Sequence, residues 1–436
     1  MVVYLDHAAG SPMPASIRGA YLAALEHVGN PSSIHSAGQA ARGMLEGARE
    51  RIAATLGVDA VEVVLTGGGT EAVNLGVKGL FWQRQAGAAG DRAVAPDAAP
   101  DAAPARADRP RPRILMPRAE HHATLDAVEW LAAHEGAQLR WLEVDEVGAL
   151  RLDDFEAALA EGAGPVDVAL LTMLAANNEV GTLQPVAEAA ALAAAHGVPV
   201  HVDAIAAYGQ VPLAPLPAGV SAVSLSAHKL GGPVGVGALV LRRGADVVPL
   251  LHGGSQQRGR SGTMDAAGAA AFAAASDEAH AAIAERAARK AQLRDRLAAG
   301  ILAALPQVEL RGAAGRAAAA RAAGRVAEAD AWAARALPGT LHLTVPGAEG
   351  DSLLMLLDLA GFAVSTGSAC QAGVPEPSHV LLAMGLHEQA ARGALRVSLG
   401  PETTEADVDA LLAALPDAVA RATSAGLAAR TPTLGR

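Results

Sequence analysis

Cysteine is almost missing from this chain: Cys370 is the single one among 436 residues. No internal disulfide and no thiolate-built metal site can form, and a reducing compartment, the cytoplasm, is the expected setting. Aromatic residues are scarce at 3%, and no apolar run approaches the roughly 18 residues that would cross a bilayer, so membrane insertion is not expected. The opening residues Met1-Val2-Val3-Tyr4-Leu5-Asp6 have no basic stretch ahead of an apolar one, which argues against an export signal. Positive charge is also in deficit. The formal net charge is -11, and binding to a phosphate backbone depends on clustered Lys and Arg, so small substrates or protein partners are expected rather than nucleic acid.

What the chain does have is 51% hydrophobic against 18% charged residues, the balance of a globular protein with a sizeable core. Its length predicts two domains, or one large domain with an appendage. Between about residues 60 and 245, short apolar β-branched runs alternate with helical stretches, the pattern of a mostly parallel α/β sheet. Strands are expected at 61–66, 113–116, 166–173, 199–203, 220–226 and 237–241, with helices at 70–85, 123–134 and 186–196. After residue 265 an Ala-rich stretch to about 304 reads as one long helix, and mixed α/β returns with strands at 341–345 and 395–399. Two segments read as additions. Residues 86–112, rich in Ala, Pro, Asp and Arg without an apolar period, predict a mobile surface insertion. Residues 311–337 scatter Arg311, Arg316, Arg321, Arg325 and Arg335 through alanines and predict a solvated helix or loose loop, not a functional basic patch.

Three features bear on chemistry. The run Ser224-Leu225-Ser226-Ala227-His228-Lys229 leaves an apolar strand and enters Gly231-Gly232-Pro233, so Lys229 sits at a tight turn where its amine can be desolvated. Desolvation favours a neutral amine, which a Schiff base requires; a lysine taken alone is more commonly a surface residue. His201-Val202-Asp203 ends another strand, and ligands of open α/β sheets collect at the carboxyl ends of strands. A buried Asp there can keep a pyridine nitrogen protonated, although an Asp at a strand end also serves as a helix or turn cap. Finally, Val63 to Glu71 reads as strand, glycine loop and helix start, offering backbone N–H groups to a phosphate. A glycine run alone also makes an ordinary tight turn. His27, His134, His196 and His280 lie in helical stretches without ligand spacing, so no metal is expected.

The combination is more specific than its members. Together with Tyr4-Leu5-Asp6, Asn30-Pro31-Ser32-Ser33-Ile34-His35, Gly69-Thr70-Glu71-Ala72-Val73-Asn74, Glu120-His121, Asn177-Asn178-Glu179-Val180-Gly181, His201-Val202-Asp203-Ala204, Ser226-Ala227-His228-Lys229, Arg260-Ser261-Gly262-Thr263, Ser365-Thr366-Gly367-Ser368-Ala369-Cys370 and Leu395-Arg396-Val397-Ser398-Leu399-Gly400, it resembles the cysteine desulfurases of the class V aminotransferase family. The resemblance implies the fold type I of enzymes dependent on pyridoxal 5'-phosphate (PLP). That fold is α/β, with a large, mostly parallel-sheet PLP-binding domain over 14–283 and a smaller α/β domain from 1–13 and 284–436 that carries the cysteine loop. It further implies that Lys229 bonds the cofactor covalently, Asp203 pairs with its ring nitrogen, and His121 stacks on the ring and assists proton transfers. Gly69, Thr70, Ser226 and His228 would hold the phosphate. Thr263 would reach the phosphate of the neighbouring subunit of a homodimer. Asn178 and Arg396 would take the carboxylate of L-cysteine, and Cys370 would be the nucleophile that accepts its sulfur as a persulfide. The spacing from Cys370 to Ser378-His379-Val380 resembles the long-loop group, which hands sulfur to acceptor proteins for iron-sulfur cluster, thio-cofactor or tRNA biosynthesis.

The chain departs from the family in places. Ala206 stands where a glutamine usually contacts the cofactor's phenolic oxygen, a loss of about 1 kcal/mol. Gly10 replaces a usual threonine, and the stretch 253–260 is one residue shorter than common. Two other readings stay open at this level. One is a different PLP lyase or aminotransferase, such as a selenocysteine lyase; the other is a paralogue that binds PLP or partner proteins without turnover.

Overall fold

The computed structural model describes residues 2–86, 111–367 and 377–425. Strand β1 (Val3–Tyr4) lies apart from the main sheet, which is built from β2 (Val63–Thr66), β3 (Arg113–Pro117), β4 (Gln138–Leu142), β5 (Val168–Leu174), β6 (Val200–Asp203), β7 (Val220–Ser226) and β8 (Gly237–Leu241). The order is β2-β8-β7-β6-β5-β3-β4. All neighbours are parallel except β8, which runs against both β2 and β7. Every residue of β5 and β8 is buried, as in a sheet covered on both faces. Strand β3 shows the two-residue period that makes this possible. Its Leu115 joins a core with Leu45, Ile52, Phe155 and Phe272, whereas Ile114 and Met116 join Val73, Val77, Phe81 and Val128 on the opposite face.

A second core gathers around a three-stranded antiparallel sheet of β9 (Glu309–Arg311), β10 (Thr340–Thr344) and β12 (Ala394–Ser398), in the order β12-β10-β9. It includes Leu293, Leu297 and Ile301 of the helix Ile283–Ala304 and Leu411 and Leu415 of the helix Glu405–Ala425. The N-terminal segment belongs here. β1 pairs in parallel with β11 (Phe362–Ala363), Leu5 is in the same core, and Asp6 bridges to Ser398.

Three expectations need correction. The single long helix after 265 is two helices, Ala266–Ala281 and Ile283–Ala304, broken at Ala282 with φ -138° and ψ 39°. Alanine propensity is indifferent to the break, which falls where the apolar face changes partner, from Phe272 in the first core to Leu293 in the second. Of the two alternatives for 311–337, solvated helix or loose loop, the structure takes the helix, but one with a buried face. The helices Gly312–Ala322 and Val326–Ala333 bury Ala313, Ala314, Ala317, Ala320 and Ala329, while Arg316 and Arg321 point outward onto Glu146, Asp295 and Asp330. Residues 61 and 62 form a short 3-10 turn ahead of β2. The proposed insertion at 86–112 falls, for 87–110, outside the described residues. Its feet meet at Gln85, whose side-chain amide exchanges two hydrogen bonds with the backbone of Arg111.

Candidate active site

The carboxyl ends of the parallel strands set the floor of the site. Leu174 of β5 is in register with Asp203 of β6, and Asp203 with Ser224 of β7. Beside them the turn after β2 is tied down: Gly67 N–H donates to Glu71 Oε2 at 2.7 Å, and Glu71 is held by Arg260 at 2.9 Å. The turn delivers Gly69 as the first residue of the helix Gly69–Ala86. A Cβ at Gly69 would stand 2.4 Å from Ile205 Cδ1 and 3.1 Å from Ser226 Cβ, so a side chain there would force the Ile205 side chain to move. The exposed N–H groups of that helix start face a cavity of about 330 Å³ and suit an anion.

Eight of the residues singled out in the sequence line this one cavity: Gly69, Thr70, His121, Asn178, Asp203, His228, Lys229 and Arg396. Ser226 stands one step behind, its hydroxyl 2.7 Å from Nδ1 of His228. Thr263 is exposed and does not line the cavity. Cys370 lies outside the described residues; the chain leaves the cavity wall at Ser365 and Gly367 and is described again from residue 377.

Lys229 lies in the 3-10 turn Ala227–Leu230, closed by Gly231 at φ 79°. Its Nζ donates to the backbone oxygens of Ala8 at 2.6 Å and Ala9 at 2.9 Å. Burial first, then the nearby Arg396 charge, lowers its pKa to about 8, with Asp6 and Asp203 opposing. Asp203 is buried without an ion pair among the described residues. Burial raises it to about 6 against the pull of the Ile205 N–H and of Lys229. A carboxylate so placed calls for a cation, and a protonated ring nitrogen would supply one. His121 caps the helix His122–Glu135, its Nδ1 accepting from Ala123 N–H at 3.0 Å. Burial, with Lys229 and the neighbouring His122 and His379, lowers it to about 4, so it is a neutral imidazole in the working range. An amine that is easily neutralised, an unpaired buried carboxylate, a neutral imidazole and an anion cradle fit PLP.

Arg396 on β12 is 4% exposed. One terminal nitrogen donates to Asn178 O at 2.8 Å and the other to Asp6 Oδ1 at 2.7 Å. Sequence reasoning placed Tyr4-Leu5-Asp6 and Glu179 in matching stretches but gave them no role. The structure puts Asp6 on Arg396. It puts the buried Glu179 under both feet of the cysteine segment: Ser378 Oγ donates to Glu179 Oε2 at 2.5 Å, and Gly367 packs against the Glu179 side chain. His379 Nε2 sits 2.8 Å from Glu120 O, and Glu120 Oε1 accepts from Leu174 N–H at the sheet end. Burial raises the Glu120 carboxyl well above the usual range.

Comparison with known proteins agrees across the chain. The sequence profile of the family described as "Aminotransferase class-V" matches residues 3–102 and 98–411. A relative from Mycobacterium tuberculosis named "IscS-like cysteine desulfurase" is 47% identical over 430 residues, covering 98% of this chain and 99% of its own length. A "Cysteine desulfurase IscS" from Methanosarcina thermophila is 34% identical, covering 96% and 92%. Among solved structures, a "NifS-like protein" superposes with a TM-score of 0.79 at 30% identity, covering 97% of this chain and 100% of that one. One described as "SspA in complex with cysteine" gives 0.68 at 26% identity, covering 92% and 99%.

Proposed function

Because the chain belongs to the class V aminotransferase family, we propose that it is a PLP-dependent cysteine desulfurase, converting L-cysteine and an acceptor to L-alanine and persulfide sulfur. The observation that carries the reading is the convergence of the Lys229 amine, the Asp203 carboxylate and the Arg396 guanidinium on one cavity. When bound, PLP supplies an electron sink for charge developing at the substrate Cα. Lys229, its pKa lowered to about 8, presents near neutral pH a far larger fraction of neutral amine to the cofactor's aldehyde than an unperturbed lysine would. Asp203 would hold the proton on the ring nitrogen, and the uncharged His121 would stack on the ring and pass protons. Gly69, Thr70, Ser226 and His228 would bind the phosphate. Asn178 and the Arg396 fork would orient the substrate carboxylate.

The sulfur step belongs to Cys370. Its thiolate attacks the substrate sulfur; the S–S bond forms as the C–S bond breaks, and the electron pair stays on the carbon that becomes the methyl group of alanine after protonation. The persulfide would then pass to an acceptor protein of cluster, thio-cofactor or tRNA biosynthesis. A homodimer with Thr263 reaching across, a cytoplasmic setting and the division into 14–283 against 1–13 with 284–436 are parts of the same reading. The separate cores around the large and small sheets support that division.

Purified holoenzyme given L-cysteine and a thiol is expected to release alanine and sulfide in equal amounts, and mass spectrometry to find one extra sulfur on Cys370. Cys370→Ser keeps the cofactor's visible absorption and loses both products. A Cys370→Ala protein with full activity on cysteine would overturn the persulfide route in favour of another PLP reaction. Wild-type protein that yields neither product would mark a binding protein.

A further inference from the structure

Three basic side chains share one row of the small sheet. In the antiparallel register Arg311 of β9 pairs with His342 of β10, and His342 pairs with Arg396 of β12. Cross-strand partners point to the same face with Cβ atoms about 4.5–5.5 Å apart, so His342 lies between two guanidinium-bearing residues. It is fully buried, and neither ring nitrogen has a hydrogen-bond partner among the described residues. Arg311 is engaged elsewhere, with Thr344 Oγ1 and Glu309. Arg396 is not fully engaged: Asp6 and Asn178 take its terminal nitrogens, and its Nε–H is buried without an acceptor.

A buried donor and a buried acceptor each left unpaired are both unfavourable, and native proteins keep few of them. Here the two occur on directly paired residues. An apolar side chain at 342 would fill the same space without an idle polar atom. A carboxylate there would neutralise Arg396 permanently and compete with any anionic ligand. An imidazole offers a lone pair without adding negative charge, provided that it stays unprotonated. Burial and the flanking Arg396 and Arg311 charges ensure this by pushing His342 down to about 3.

We propose that His342 is a positioning residue for Arg396, its uncharged imidazole accepting the Nε–H when a substrate carboxylate takes the two terminal nitrogens. The guanidinium is then fixed at all three nitrogens and its fork stays aimed at the cavity. The inference rests on the reading of Arg396 as the carboxylate site.

The test uses holoenzyme of four variants assayed with L-cysteine, with the cofactor's visible absorption and the melting temperature recorded for each. His342→Leu removes the acceptor and is expected to raise KM about tenfold with kcat within about twofold, the scale of one lost hydrogen bond to a charged group. His342→Asn and His342→Gln retain an acceptor, and at least one of them is expected to restore KM to within about threefold of wild type. A role in packing alone would move the melting temperature without splitting KM from kcat. Should His342→Leu fail to fold, His342→Ala against the better amide variant makes the same comparison. An unchanged KM in the apolar variant, or equal KM increases in all three, overturns the proposal. Arg396→Lys separates the two claims. If it leaves KM unchanged, the carboxylate reading itself fails; if it raises KM while His342→Leu does not, only the role of His342 is refuted.

Discussion

Asp6→Asn would leave the Arg396 guanidinium, 4% exposed, without the carboxylate it now meets at 2.7 Å. Removing one partner of a buried pair typically costs 3–5 kcal/mol because a charge stays behind uncompensated. Asp6 is itself 18% exposed, and asparagine keeps a neutral acceptor, so about 2–3 kcal/mol is expected. At roughly 1 °C per kcal/mol for a chain of this length, holoenzyme without substrate should melt about 2–3 °C lower. The effect on ligand binding has the opposite sign. In the wild type a substrate carboxylate must displace Asp6 from the terminal nitrogen it occupies, whereas in the variant that nitrogen is held only by a neutral amide. KM for L-cysteine should therefore stay level or fall. The thermal deficit should close on adding L-alanine, since ligand at 100 times its Kd stabilises by about 2.7 kcal/mol, and at one fixed concentration the variant should gain more than the wild type. Thermal shift with and without L-alanine, alongside steady-state kinetics, makes the check. An unchanged melting temperature together with a raised KM would show that Asp6 assists the ligand rather than competing with it, and would refute the reasoning.

Gly69→Ala places a methyl group against Ile205 and Ser226; overpacking of this kind costs about 1–3 kcal/mol. Retention of PLP on dialysis, followed by visible absorption, should fall about fivefold or more on that scale, and undiminished retention would contradict the cradle. Ser378→Ala removes both the bond to Glu179 and the cap at Leu381 N–H, about 1–2 kcal/mol. Persulfide formation on Cys370 should slow with KM unchanged; equal rates in stopped reactions would show that this foot of the segment does not position the thiol. Lys229 loses its proton near pH 8 in the folded chain but near 10.5 when unfolded, so between those values the unfolded state binds more protons and its contribution to stability rises with pH. In urea titrations of cofactor-free protein, any advantage of Lys229→Met over wild type should shrink across that window, and an advantage that grows would reverse the sign of the shift. His121 and His228, both lowered to about 4 by burial first, should leave no inflection in kcat/KM between about pH 5 and 8, where an unperturbed histidine would titrate.

The parts legible in the sequence are those whose physics is local. β6, β7 and β8 are short, wholly or nearly wholly buried runs built around Val, Ala and Leu, and each is found within a residue of its expected bounds. Lys229 and Asp203 could be placed because strand ends are visible in sequence and sheets of this class bind at them. β4 was missed because it is an edge strand, Gln138–Leu142, with one fully buried residue and an arginine in its middle. The helix Ser36–Leu56 was missed because Gly38, Gly43 and Gly47 and its many charged residues mask its apolar stripe of Leu45, Ile52 and Leu56. Glu179, Asp6 and His342 act through partners far away in the chain, and no window of sequence brings Asp6 next to Arg396.

That separation, 390 residues between two side chains sharing one ion pair, orders the assembly of the site. Closing so long a span adds little to its free-energy cost, because the entropy of closure grows only logarithmically with length, but pairings this distant are slow to find. The lysine and the anion cradle belong to strands and turns lying within residues 63–241, whereas the guanidinium acquires its orientation only when the segments carrying Asp6 and Arg396 meet. In refolding, capture of PLP should precede recognition of the amino acid's carboxylate, and a stalled intermediate would be coloured by its cofactor yet indifferent to cysteine.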